Sequence, residues 1–83
     1  MKIVWDEPKR QSNITKHGLD FAELSLEFFL SALHVPAKDG RSKAIGRLED
    51  GTIVVIYVAL GTEALSVISM RAARKDERSL LNG

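Results

Sequence analysis

The sequence predicts an α+β domain: two N-terminal helices, a mostly antiparallel sheet of about four to five strands, and one C-terminal helix. Three observations predict it. The helical periodicities cluster at the two ends of the chain. The middle holds short β-rich runs divided by glycine turns, at Lys38-Asp39-Gly40, Glu49-Asp50-Gly51 and Gly61-Thr62. Strands and helices do not alternate as βαβ units would require. With 83 residues, 45% of them hydrophobic, one domain over residues 1–83 is expected, with a small core.

Lys2 to Trp5 reads as a short strand with Ile3 and Trp5 on one side. Asp6 is placed to cap a helix from about Glu7 to Lys16, with Pro8 in its first turn and Gly18 as its stop. Asp20 is read as the cap of a second helix ending near Phe29. Phe21, Leu24 and Phe28 form its apolar stripe, flanked by Ala22, Leu26 and Phe29, while Glu23 and Glu27 are solvated. A strand from Ser31 to Val35 is stopped by Pro36. Ser42 to Leu48 and Thr52 to Leu60 form a hairpin, the second strand apolar enough to be covered on both faces. Ala64 to Met70 is the last strand and Ala73 to Leu81 the last helix.

Composition narrows the chemistry. With no cysteine there is no disulfide, thiolate metal site or cysteine nucleophile. No Gly-rich phosphate loop and no histidine-based metal spacing is present, so no cofactor and no metal are expected. The charged N-terminus and the shortness of the run Ile53 to Leu60 give no reason to expect a signal peptide or a membrane span, so a cytoplasmic location is expected. Net charge is only +1. Attraction to nucleic acid must therefore come from local clustering of the twelve Lys and Arg residues.

Two clusters stand out. Lys9, Asn13 and Lys16 are spaced to share one helix face, with His17 beside them. They read either as a solvated face or as a phosphate-binding face whose histidine exchanges a proton near neutral pH. Arg71, Arg74, Lys75 and Arg78 are spaced as one cationic stripe along the last helix, with Glu77 on a neighbouring face. They read either as a charged exterior or as a phosphate-recognition surface, since guanidinium matches phosphate with a two-pronged geometry. His34 sits in an apolar run and reads as a strand residue with a satisfied ring. Tyr57 reads as sheet face or core, and Trp5 as a core anchor.

The run Trp5-Asp6-x-x-Lys9-x-x-x-Asn13-x-x-Lys16-His17-Gly18-x-x-Phe21 resembles the opening of BrnT-family toxins. Ile68-Ser69-Met70-Arg71-x-Ala73-x-x-x-Glu77-Arg78 resembles the family's closing segment, and Ile45-Gly46 with its hairpin also fits. The resemblance implies a RelE-like ribonuclease fold and the toxin of a type II toxin–antitoxin system. It implies a metal-independent endoribonuclease that arrests growth, acts on RNA with or without the ribosome, and is neutralised by a BrnA-like antitoxin through which alone it meets DNA. His17, Arg71, Arg74 and Glu77 are then the expected catalytic residues. Lys9, Asn13, Lys16, Lys75 and Arg78 are the expected substrate-binding ones. Two departures point to an alternative, a weakened toxin acting as a binding module. Ala64, Leu65 and Ser66 are uncharged where relatives often carry a basic residue, and Leu80-Leu81-Asn82-Gly83 stands where many end in tyrosine.

Overall fold

The computed structural model describes residues 1–49 and 51–82, with Asn82 in backbone only. Asp50 of the expected hairpin and Gly83 of the C-terminal tetrapeptide lie outside the described residues. Five strands form one sheet: β1 (Lys2–Trp5), β2 (Leu33–Pro36), β3 (Ser42–Leu48), β4 (Gly51–Leu60) and β5 (Ala64–Ala72). Their order is β1-β5-β4-β3-β2. Neighbouring strands are antiparallel except β1, which runs parallel to β5 through Trp5 opposite Val67. Among the described residues there are also three α-helices, α1 (Glu7–His17), α2 (Leu26–Ser31) and α3 (Lys75–Asn82).

Side chains alternate across β4 and divide the core in two. One face carries Ile53 and Val55, packed with Phe21, Phe28, Phe29, Val67 and Met70. The other carries Val54, packed with Ile45 and Ala73 beside Leu81 of α3. The expectation of a strand covered on both faces holds for Ile53 to Val55. Gly46 lets α2 lie close on the sheet. A Cβ there would stand 2.8 Å from the Phe28 ring and 3.2 Å from Ala32 Cβ, closer than packed carbons approach.

Several boundaries differ from expectation, each for a local reason. Helix α1 ends as expected at Gly18, whose φ of 69° is the left-handed conformation glycine tolerates. Asp6 occupies the cap position but makes no side-chain cap bond. Asp20 caps only a single 3-10 turn over Phe21–Glu23, accepting from Ala22 N–H. Leu24 turns extended, and α2 starts afresh from Ser25, whose hydroxyl accepts from Phe28 N–H. Phe21, Leu24 and Phe28 are buried as expected, whereas Ala22 and Leu26 are exposed. Ser31 closes α2 instead of opening a strand. The last strand runs on through Ala72, and α3 begins at Lys75 rather than Ala73.

Candidate functional site

The shift at the last junction separates residues expected in one helical stripe. Arg71 lies on β5 and Arg74 in the connection, and only Lys75 and Arg78 stand on α3. Arg74 takes the cap position. Its N–H donates to Glu77 Oε1 at 2.9 Å, one half of a capping box. This turns Glu77 inward. It is 3% exposed, buried rather than part of a charged exterior.

The Glu77 carboxylate meets Arg71 end-on. Arg71 Nη1 donates to Oε1 at 2.7 Å and Nη2 to Oε2 at 2.8 Å. Lys43 of β3 donates to Oε2 at 3.2 Å. Arg71, then the Arg74 N–H and Lys43, hold the Glu77 carboxyl far below the usual carboxylate range against the opposing effect of burial. Glu77 raises the Arg71 guanidinium in turn. The sequence places Glu77 among the catalytic groups. The structure instead engages both of its carboxylate oxygens with Arg71, Lys43 and the Arg74 N–H.

Arg71 keeps an unused edge. A second Nη1 hydrogen goes to Ala72 O at 3.3 Å. The Nε–H and the remaining Nη2–H, which lie side by side, meet no acceptor among the described residues. The Arg71 side chain is 19% exposed.

The second cluster forms at the edge of β5. Strand β1 pairs with β5 only as far as Val67, which leaves the backbone of Met70 open on that side. Asn13 of α1 fills the gap. Its Nδ2 donates to Met70 O at 2.9 Å and to Leu19 O at 2.9 Å, and its Oδ1 accepts from Met70 N–H at 3.0 Å. The carboxamide thus extends the ladder as a strand would. Expected as a phosphate contact, Asn13 is instead 5% exposed, its donor and acceptor both occupied by the scaffold.

That clamp brings Lys9, Ser12, Lys16 and His17 against Ile68 and Ser69, around a hollow of about 270 Å³ that Asn13 itself also lines. Lys9, Lys16 and His17 are exposed there. Arg71, Arg74, Lys75 and Arg78 do not line this hollow. Strand register relates the two clusters. Ser69 faces Ile56 and Arg71 faces Val54 on β4, so both point to the same face of the sheet, about 7 Å apart along β5. Arg74, Lys75 and Arg78 are exposed, and Arg78 Nη1 donates to Ala73 O at 3.1 Å.

His34 is satisfied, as expected. Its Nε2 lies 2.7 Å from Phe29 O, which makes that nitrogen the donor, and its Nδ1 lies 2.6 Å from the Tyr57 hydroxyl. Trp5 meets Phe21 edge-on at 6.3 Å. Sequence reasoning missed Lys43, because its link to Glu77 spans 34 residues. It also missed Arg10, which ties α1 to the following loop by donating to Asp20 through Nε and Nη2 at 2.7 and 2.9 Å and to Glu7 through Nη1. No three His, Asp or Glu side chains converge among the described residues. No described helix is long and apolar enough to cross a membrane.

Residues 5–77 match the family model described as "Ribonuclease toxin, BrnT, of type II toxin-antitoxin system". The 1.1 Å crystal structure of the Brucella abortus ribonuclease toxin, BrnT, is similar at 60% sequence identity and a TM-score of 0.85, over 90% of this chain and 99% of that one. A comparison with curated proteins gives no match.

Proposed function

The chain belongs to the BrnT family of ribonuclease toxins of type II toxin–antitoxin systems, and from that footing we propose that it is a metal-independent endoribonuclease that arrests growth and is neutralised by a BrnA-like antitoxin. The observation that carries the reading is the side-on edge of Arg71. Glu77 occupies the guanidinium end-on and leaves Nε–H and Nη2–H aligned for two oxygens of one phosphate. An arginine fixed in advance stabilises charge growing on a phosphate without reorganising as it forms.

The reaction asks little else of the protein. The ribose 2′-hydroxyl attacks the adjacent phosphorus, the bond to the 5′-oxygen breaks, and a cyclic phosphate and a free 5′-hydroxyl result. Proton exchange at those oxygens falls to His17, the one histidine with an exposed ring and no bonded partner among the described residues. Lys9 and Lys16 beside it attract the RNA backbone, with Arg74, Lys75 and Arg78 at the outer rim. Asn13 and Glu77 position these groups without touching substrate.

Purified protein is expected to cut RNA in the presence of a chelator. Arg71→Ala is expected to slow the cut at least tenfold, or about 1.4 kcal/mol of barrier. An unchanged rate would remove Arg71 from the mechanism. The second reading, a weakened toxin that serves as a binding module, is favoured by the uncharged segment at Ser66 and by the absence of Arg71 from the lining of the His17 hollow. Growth arrest on induced expression separates the two: a folded, abundant and harmless product would favour the module.

A further inference from the structure

Toward the sheet edge far from α1, the turn between β2 and β3 carries a second basic concavity of about 520 Å³, lined by Pro36, Ala37, Lys38, Arg41, Lys43 and Ile56. Its walls are set by backbone. Ala37 N–H donates to Arg41 O and Arg41 N–H to Lys38 O, while Asp39 and Gly40 take left-handed φ values of 60° and 73°. This folded turn places Lys38 and Arg41 on the same groove. Neither side chain has a charged or hydrogen-bonded partner among the described residues. No acidic side chain lines the groove. The acids that pair elsewhere are committed: Glu7 and Asp20 to Arg10, Glu77 to Arg71 and Lys43.

The groove lies on the same sheet face as Ser69 and Arg71 of the candidate site. Lys43 faces Ile56 across β3 and β4, and Ile56 faces Ser69 across β4 and β5. Cross-strand partners share a face, so these three side chains form one row. Lys43 and Ile56 line the groove, and Ser69 lines the His17 hollow. Two strand spacings, about 10 Å, separate the ends of that row. Lys43 and Arg71 also share the same oxygen of Glu77, at 3.2 and 2.8 Å.

We propose that the Lys38/Arg41 groove is a second phosphate subsite, which holds the backbone of single-stranded RNA as it crosses the sheet away from the scissile bond. The inference rests on the ribonuclease reading and names where its substrate lies. Cations track the backbone, and the apolar floor of Pro36 and Ile56 receives a ribose or base face. An acidic peptide would use the same cations but has no need of that floor, or of the row that leads from it to Ser69.

The test measures binding of the full chain to two probes, a uridine trinucleotide and a uridine octanucleotide. The wild type is expected to prefer the octanucleotide at least tenfold. In Lys38→Ala/Arg41→Ala that preference falls below threefold. The salt dependence of octanucleotide binding falls by about 1.4 in log–log slope, as expected when two phosphates of a single strand are no longer neutralised. Lys38→Arg/Arg41→Lys, which keeps both charges, retains the preference and shows that the fold is not the cause. A tenfold preference persisting in the alanine variant overturns the subsite and leaves the ribonuclease reading standing. Failure of the wild type to bind either probe overturns both. Binding of a poly-glutamate peptide that the alanine pair abolishes, with the RNA preference unchanged, assigns the groove to an acidic protein segment and overturns the proposal.

Discussion

Strand β5 is held by two buried polar side chains, and they work in opposite ways. Asn13 reaches it from α1 along the strand edge, and Glu77 reaches it from α3 across the strand face. Asn13 is neutral. Its close partners are backbone groups, joined at 3.5 Å by the neutral Ser69 hydroxyl, which donates to Oδ1. Glu77 is charged, and its partners are side-chain cations as well as a backbone N–H. A neutral strut fixes position alone. A charged strut fixes position and also orients the cation that neutralises it, leaving the rest of that cation's donors without an acceptor among the described residues. The α1 side thus builds a frame around exposed Lys9, Lys16 and His17, whereas the α3 side fixes one guanidinium by its end-on ion pair.

Breaking the charged strut has the largest expected effect on stability. Glu77→Gln leaves Arg71 partly buried without its counter-charge, and chemical denaturation should show a loss of about 3 kcal/mol. Asn13→Ala exposes the Met70 N–H and carbonyl at an open edge that water can partly reach. A smaller loss, about 2 kcal/mol, is expected by the same measurement.

Acid sharpens the comparison. The folded carboxyl of Glu77 is held low, so on acidification the unfolded chain takes up that proton first. Its contribution is whole above about pH 5 and is lost progressively as pH falls below the ordinary glutamate value of about 4.3. Asp20, held low by Arg10 and by the Ala22 N–H, acts in the same direction. Urea unfolding at pH 6 and pH 3 should therefore show a smaller acid loss in Glu77→Gln than in the wild type. Asn13→Ala should keep the wild-type loss, because a carboxamide does not titrate.

The same contrast explains what can be read from the chain alone. Strand β3 is found at the expected residues, Ser42–Leu48, and α1 ends at Gly18 as its sequence requires. Local chemistry dictates both. The spacing of Phe21, Leu24 and Phe28 correctly marks buried positions but fits one long helix as well as a 3-10 turn followed by a short one. Only the Ser25 cap, legible as Ser-x-x-Phe28, distinguishes them. Glu77 carries a local signal too. It stands three residues after Arg74, the spacing of a capping box, which starts α3 at Lys75 and leaves Arg71 on the strand. Asn13 carries none. Helical spacing puts it beside Lys9 and Lys16 but cannot tell an outward amide from one turned into a strand edge 57 residues away. The family motif names the residues that matter without separating those that would meet RNA from those that hold them in place.

The proposed role of Arg71 rests on its two-pronged geometry, poised by Glu77, rather than on charge alone. The most direct measurement is the RNA cleavage rate of Arg71→Lys beside Arg71→Ala, under conditions where both are shown to be folded. Lysine keeps the charge and loses the fork. The lysine variant is expected to fall at least tenfold, close to the alanine variant. A lysine variant cutting at the wild-type rate would contradict it.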